Sequence, residues 1–270
     1  MDGMPLSMVR PHVSARYAGQ PSEHGKRTPG AGAISRNGLL QVTGLTKRYG
    51  DDVALSDVAF SVDAGEVLGL IGPNGAGKTT LLETVAGLLP ADSGEVAWLG
   101  RPLPPHRRRE TVFYLPDGVR PYQDQFVAHV LAFFAAVYAR SDAQVADAVA
   151  AVGLAPVLAK RVQSLSKGYG RRLILALGLL TPHSLLLMDE PFDGFDLKQT
   201  REIAQTLRQV LGEGRALMLA IHQLADAEKV CDRFVLLSGG RIRGAGTLAD
   251  LRARTGLPAA SLEDVFLALT

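Results

Sequence analysis

The chain has 270 residues, of which 47% are hydrophobic and 21% are charged, as is typical of a globular protein with one sizeable domain or two small ones. Its formal net charge of +2 gives no electrostatic footprint for nucleic acid, so we expect no nucleic-acid partner. No apolar run reaches the roughly 18 residues that a membrane span requires, so we expect another protein to cross the bilayer if this one works there.

Residues 1–38 are rich in Gly, Pro, Ser and Arg and lack hydrophobic periodicity, which predicts a disordered tail. From residue 39 to residue 270 the pattern predicts one α/β domain. Its predicted strands are 39–43, 58–62, 66–71, 94–100, 184–188, 216–221 and 234–237, and its predicted helices are 79–87, 126–139, 143–152, 171–180 and 197–211. Strands that alternate with helices favour a mainly parallel sheet. The helical pattern between about residues 102 and 182 predicts an inserted subdomain, in which the apolar helix 126–139 is expected to be mostly core.

The clearest motif follows the predicted strand 66–71 and is a phosphate-binding loop of the G-x-x-x-x-G-K-[ST] type. Its residues are Gly72, Pro73, Asn74, Gly75, Ala76, Gly77, Lys78, Thr79 and Thr80. A backbone that wraps a polyphosphate needs glycine, because successive N–H groups must point inward. Lys78 is placed to contact the β- and γ-phosphates, and the Thr79 hydroxyl is placed to reach Mg²⁺. With a strand before it and a helix after it, this loop predicts binding of a nucleoside triphosphate.

Two acids follow another apolar strand, in the sequence Leu-Leu-Leu-Met-Asp-Glu at residues 185–190. Asp189 is expected to hold the hydration shell of Mg²⁺, which is the usual second half of a phosphate-loop site. Glu190 cannot point the same way in an alternating strand, and we expect it to orient a water for in-line attack on the γ-phosphate. His222 closes the predicted strand 216–221, a neighbour from which it would reach the same γ-phosphate.

Residues 165–172, L-S-K-G-Y-G-R-R, resemble the signature L-S-G-G-Q of ATP-binding cassette (ABC) proteins. With the motifs above, they make the chain from about residue 39 onward similar to the nucleotide-binding subunit of an ABC transporter. The resemblance implies a P-loop NTPase core with an N-terminal antiparallel β subdomain and an inserted α-helical subdomain. It also implies that ATP and Mg²⁺ bind. Ser166 and Gly168 would contact the γ-phosphate of an ATP held by a second subunit, so that two chains enclose two ATP molecules.

By the same resemblance, Tyr49 matches the aromatic residue that stacks on adenine. Four positions depart from the family pattern. Lys167 and Tyr169 lie within the signature, and Phe195 stands where Leu is usual in the loop that crosses to the partner subunit. Asp117 stands where the family normally has a Gln that touches Mg²⁺ and the attacking water. Asp117 is either a substitute metal ligand or only a turn residue, and Lys167 either adds a charge to the phosphate contact or faces solvent.

The resemblance implies an ATPase subunit, with Lys78, Glu190 and His222 as catalytic residues, that powers a membrane transporter by ATP-driven dimerisation. Its implied partners are a second copy of the chain and an integral membrane permease, at the cytoplasmic face of the cell membrane. Only 48 residues follow His222, and together with the sequences L-S-K-G at 165–168 and Y-L-P at 114–116 this resembles the short subunits of multidrug or efflux-type exporters. The alternative is a soluble ABC-type ATPase without a membrane partner. Translation-type members carry two cassettes in one chain, whereas this chain has one. Repair-type members insert a long coiled coil between the phosphate loop and the signature, and this sequence has no such heptad stretch. A small-molecule kinase would not explain the signature, Glu190 and His222 together.

Overall fold

The computed structural model describes residues 38–119, 121–210 and 214–270, so the predicted tail lies outside the described residues except for its last position. The strands are β1 Leu40–Tyr49, β2 Asp52–Val62, β3 Val67–Ile71, β4 Ser93–Trp98, β5 Arg101–Pro102, β6 Val112–Leu115, β7 Leu185–Asp189, β8 Ala216–Ile221, β9 Arg233–Ser238 and β10 Arg241–Gly246. The α-helices are α1 Lys78–Ala86, α2 Pro105–Arg108, α3 Val127–Val137, α4 Asp142–Ala151, α5 Lys167–Leu180, α6 Leu197–Val210, α7 Leu224–Val230, α8 Leu248–Thr255 and α9 Leu262–Leu269.

The strands form two sheets of different character. The N-terminal sheet has the order β2-β1-β4-β5, and all of its pairs are antiparallel. The larger sheet has the order β10-β9-β3-β8-β7-β6, and only its β9–β10 pair is antiparallel. The expected P-loop core with a mainly parallel sheet and an N-terminal antiparallel sheet is therefore confirmed.

The central strands of the parallel sheet are buried on both faces, which explains their continuous apolar sequences. In β7, Leu186 and Met188 face the core formed with the helices α3 to α7, whereas Leu185 and Leu187 face α1 and the antiparallel sheet. Full burial of one such side chain contributes about 1.5–3 kcal/mol before entropy is counted. Because β3, β8 and β7 are adjacent and parallel, the segments that follow them emerge at one edge of a rigid sheet.

Several elements differ from the predictions. The strand β6 lies within the range of about 102–182 that was expected to be helical. It has only four residues and pairs with β7 alone within the described residues, so its sequence carries no clear alternation. The helix α5 begins at Lys167 instead of residue 171, because Ser166 caps it despite the glycines in its first turn. The strand β10 and the helices α7, α8 and α9 were not predicted.

The helix α3 is only half buried, although the sequence predicted a mostly core helix. Its apolar residues continue around the outer face, where Phe133 is 51% exposed and Val137 is 57% exposed. Within the described ranges, no helix combines the length and the apolar character needed to cross a bilayer.

Candidate nucleotide-binding site

The phosphate loop joins β3 to α1 and folds around its own lysine. Lys78 is buried, and its Nζ donates to the carbonyl oxygens of Gly72 at 2.8 Å and Pro73 at 3.3 Å. Gly77 precedes α1 with φ +102°, and a Cβ there would lie 2.7 Å from the carbonyl oxygen of Ala54. Only glycine meets both conditions without strain. The loop therefore holds an ammonium group and the free N–H groups of a helix N-terminus in one place, which suits a polyphosphate.

The remaining loop residues divide between the rim and the interior. Pro73, Asn74 and Gly75 are exposed, whereas Ala76 is buried and its N–H donates to the carbonyl oxygen of Pro73 at 3.1 Å. Thr80, in the first turn of α1, is half-buried. The loop is thus anchored at its two ends and open to solvent at its middle.

Thr79 and Asp189 converge although they are far apart in sequence. The Thr79 Oγ1 donates to the Asp189 Oδ2 at 2.6 Å, and Asp189 is buried at the end of β7. A hydroxyl and a carboxylate are hard oxygen donors, and Mg²⁺ is usually held by one or two carboxylates together with phosphates and water. The residues present therefore fit Mg²⁺ at this point.

Glu190 and His222 form the second polar pair at this edge of the sheet. Glu190 adopts φ +48°, and its N–H donates to the carbonyl oxygen of Ala220 at 3.0 Å, which turns the chain out of β7. Its Oε2 lies 2.6 Å from the Nδ1 of His222, the residue that follows the neighbouring strand β8. A non-glycine residue with positive φ at such a position is a mark of a functional site. The histidine fixes the direction of the carboxylate, as a positioned general base requires.

Tyr49 lies beside the phosphate loop, at the tip of the hairpin formed by β1 and β2. It pairs with Asp52, two residues before Ala54, which contacts Gly77. Its side chain is 50% exposed, and the Nζ of Lys47 lies 5.4 Å from the ring centroid. An exposed ring at this place is available for stacking on a nucleotide base.

The signature residues contact α5 and the loop that follows Glu190. Ser166 caps α5 by accepting the N–H of Tyr169 at 3.3 Å, and the α-carbon of Gly168 faces the loop at Gly194 and Phe195. Among the described residues, the contacts of Ser166 and Gly168 run to α5 and to residues 194 and 195, and no hydrogen bond or ion pair joins them to the phosphate loop. Lys167 does not simply face solvent: its Nζ pairs with the Oδ2 of Asp193 at 2.7 Å.

Asp117 follows β6 and contacts the signature helix. Its Oδ1 accepts from the Nη2 of Arg171 at 2.5 Å, and the Arg171 side chain is only 8% exposed. One oxygen of the candidate metal ligand is therefore occupied by a guanidinium group.

The sequence did not single out Arg171, Asp193 or Tyr114. Arg171 is 54 residues from its partner, and Asp193 is 26 residues from Lys167, so no local pattern marks either pair. The hydroxyl of Tyr114 is buried without a hydrogen-bond partner within the described part of the chain. Burial, with Asp189 and other carboxylates nearby, raises the pKa of Tyr114 well above its usual value and keeps it protonated.

Comparisons with known proteins agree with this geometry. The family model described as ABC transporter matches residues 55–193, which include the phosphate loop, the signature and the acidic pair. The Nod factor export ATP-binding protein I of Rhizobium etli is 33% identical over 219 residues, which cover 78% of this chain and 69% of that protein. The hemin import ATP-binding protein HmuV of Thermobifida fusca is 36% identical over 233 residues, which cover 83% of this chain and 82% of that protein.

A solved structure of the ATP-binding subunit of an ABC transporter has the same fold. It superposes with a TM-score of 0.78 at 32% identity, covering 86% of this chain and 99% of that one. The match extends over nearly the whole described region, so it includes both sheets and the helices between them. The chain therefore belongs to the ABC transporter family and is one of its ATP-hydrolysing, ATP-binding domains.

Proposed function

We propose that this chain powers substrate translocation by a membrane transporter, closing onto a second copy when ATP binds and opening after hydrolysis. The observation that carries the proposal is the Glu190–His222 pair, 2.6 Å apart, at the sheet edge that also holds Thr79, Asp189 and the phosphate loop. The pair supports the proposal because the Glu190 carboxylate would lie beside a γ-phosphate bound at this edge and could orient the attacking water.

Each residue has a defined part in this proposal. Lys78 and the loop N–H groups bind the β- and γ-phosphates, and the ring of Tyr49 stacks on adenine. Thr79 and Asp189 hold Mg²⁺, which supplies positive charge to the phosphates. Glu190 accepts a hydrogen bond from the attacking water, and His222 keeps the Glu190 carboxylate in place.

The second half of the site comes from a second copy of the chain. Ser166 and Gly168 present a hydroxyl group and helix N–H groups, yet their described contacts run to Tyr169 and to residues 194–195, not to the phosphate loop. A γ-phosphate bound by one chain would complete its coordination with the signature of the other. ATP would then bind the closed pair better than the open one, which is what drives closure.

The membrane partner is a permease that docks on the helical part of the chain, so that the protein lies at the cytoplasmic face of the membrane. The support is twofold. The relatives are named as ATP-binding proteins of export or import systems. In addition, α3 and the segment before it expose the large apolar side chains of Phe133, Val137 and Tyr122, which a partner helix would cover.

We propose export as the direction of transport, in line with the Nod factor export relative. The hemin import relative has comparable identity, so import is the competing outcome. Transport assays in inside-out vesicles that contain the co-purified permease would separate the two. ATP-dependent accumulation of substrate inside such vesicles indicates export, whereas ATP-dependent loss of loaded substrate indicates import.

The central test is the Glu190→Gln variant, which keeps the shape of the side chain but removes the carboxylate. We expect its ATPase rate to fall about 10²–10⁴-fold and its mass in light scattering to double with ATP and Mg²⁺. Glu110→Gln, at an exposed carboxylate two residues after the end of α2, is the matched control. The dimer mechanism fails if ATP leaves the Glu190→Gln variant monomeric. If the trapped dimer forms but captures no integral membrane protein, the alternative of an ABC-type ATPase without a membrane partner is correct.

A further inference from the structure

Two residues that depart from the family pattern meet at one place in the fold. Lys167 lies in the signature, and Phe195 lies in the loop that follows Glu190. The stem of Lys167 crosses this loop so closely that a Cβ at Gly194 would lie 2.9 Å from its Cγ. The ring of Phe195 lies against Gly168 and under the guanidinium of Arg172, 5.3 Å from the ring centroid. The start of α5 therefore packs closely against this loop.

The ammonium of Lys167 is held at this contact by Asp193. The Nζ lies 2.7 Å from the Asp193 Oδ2, and the two side chains are 62% and 33% exposed. The hydrogen bond from Lys167 holds the pKa of Asp193 below its usual value, and Arg171 and His222 act in the same direction. Asp193 is thus a carboxylate at neutral pH, paired with the first residue of the signature helix.

Asp193 is also tied to the catalytic segment. Its N–H donates to the carbonyl oxygen of Glu190 at 3.2 Å, so one tight turn separates the water-orienting residue from the partner of Lys167. The charge of Lys167 is therefore neutralised by a carboxylate whose backbone is hydrogen-bonded to Glu190. An unpaired lysine at this position would lie beside Ser166 and Gly168, where the helix N-terminus already attracts anions.

We propose that Asp193 sets the phosphate affinity of the signature by holding Lys167 in an ion pair within one chain. The proposal rests on the proposed function, in which the signature contacts the nucleotide of a second copy. The ion pair makes the signature nearly neutral, so its contact with the γ-phosphate bound by the second copy relies on Ser166 and the helix N–H groups. Releasing Lys167 would strengthen the contact with the phosphate, and leaving Asp193 alone would weaken it by repulsion.

The ion pair predicts that substitutions of its two residues shift the ATP concentration for half-maximal dimerisation in opposite directions. Asp193→Asn frees Lys167 and should lower the ATP concentration needed for half-maximal dimerisation. Lys167→Met leaves the Asp193 carboxylate beside the phosphate and should raise that concentration. A unit charge several ångströms from the phosphate, partly screened by solvent, changes the affinity about three- to tenfold. The double variant should lie close to the parent, because both charges are gone.

The experiment uses the full chain in the Glu190→Gln background, with dimerisation followed by light scattering as ATP and Mg²⁺ are titrated. Arg107→Gln is the control, since Arg107 has similar exposure and pairs with Glu110 at 3.1 Å on α2. The Arg107→Gln variant should dimerise at the same ATP concentration as the Glu190→Gln parent. Raising the salt from about 50 mM to about 500 mM should reduce both shifts, because the charges are solvent-exposed. Thermal unfolding confirms that each variant is folded, and Lys167→Gln and Asp193→Ser serve as second variants if one is not.

The outcomes separate the two proposals. If the Glu190→Gln parent does not dimerise, the proposed function fails and this inference fails with it. If the parent dimerises but both single variants shift the midpoint in the same direction, the pair only supports the local fold and the inference is overturned. No shift in either variant also overturns it. Opposite shifts that cancel in the double variant support it, since a merely structural role would not produce opposite signs.

Discussion

Replacing Asp117 by Asn tests how the loop after β6 and the signature helix are held together. The change removes the negative charge but keeps the size and shape of the side chain. In the parent, the Nη2 of Arg171 donates to the Asp117 Oδ1 at 2.5 Å. We expect the variant to be less stable, because the Arg171 side chain is 8% exposed and would keep its charge without a negative counter-charge.

The size of the loss follows from the exposure of the two partners. Removing one member of a fully buried pair costs about 3–5 kcal/mol, whereas an exposed pair contributes about 0–1 kcal/mol. The Asp117 side chain is 49% exposed, so water reaches one side of the pair. We therefore expect a loss of about 1–2 kcal/mol in the free energy of unfolding. For a domain of this size, that lowers Tm by roughly 2–8 °C.

The assay is thermal unfolding followed by circular dichroism, arranged as a double-mutant cycle with Arg171→Met. The double variant should be no less stable than Asp117→Asn alone, because it no longer buries an unpaired charge. A pair that contributes nothing would give an Asp117→Asn protein that melts like the parent. Additive losses in the cycle would equally refute the reasoning, since they would mean that the two side chains act independently.

The same variant tests whether Asp117 also binds Mg²⁺. One of its oxygens is already occupied by Arg171, so we expect less than about a twofold change in the Mg²⁺ concentration for half-maximal ATPase rate. The Asp117→Gln variant, which restores the residue usual in the family, is the companion measurement. An increase of about tenfold or more in Asp117→Asn would instead make Asp117 a metal ligand.

Three further predictions concern single side chains. Tyr49→Ala should weaken ATP binding about tenfold through lost base stacking, measured by calorimetry, whereas Tyr122→Ala, equally exposed at 50%, should not. His222→Gln should lower kcat about 10²-fold with little change in the KM for ATP, since it acts through Glu190. Burial lowers the pKa of His183 below its usual 6.5, so the folded state binds that proton less well than the unfolded chain. Stability should therefore fall as pH drops below about 6.5, and His183→Gln should lose less Tm between about pH 7.5 and about pH 5.5.

The sequence predicted the parts of the site that local patterns encode. An apolar strand followed by glycine-rich spacing indicated the phosphate loop, and β7 followed by two acids indicated Asp189 and Glu190. The position of His222 was also predictable, because consecutive strands of a parallel sheet are often neighbours and β7 does pair with β8. These predictions share a dependence on an apolar strand and on the polar or glycine-rich residues at its C-terminal end.

The sequence could not predict the partners that α5 recruits from distant segments. Arg171 and Lys167 contact carboxylates 54 and 26 residues away, and only the folded chain brings these groups together. The start of α5 was also placed too late, because Gly168 and Gly170 disfavour helix and conceal the cap at Ser166. In both cases tertiary contacts outweigh a local signal.

The signature helix α5 contacts the segments that follow the neighbouring strands β6 and β7. Asp117 follows β6 and binds Arg171, while Asp193 lies one turn after Glu190 and binds Lys167. Both carboxylates emerge at the edge of the sheet where the phosphate loop lies. The two ion pairs and the packing of Phe195 against Gly168 connect these segments to α5. The departures from the family pattern at positions 117, 167 and 195 thus all lie where the signature helix contacts the segments that follow β6 and β7.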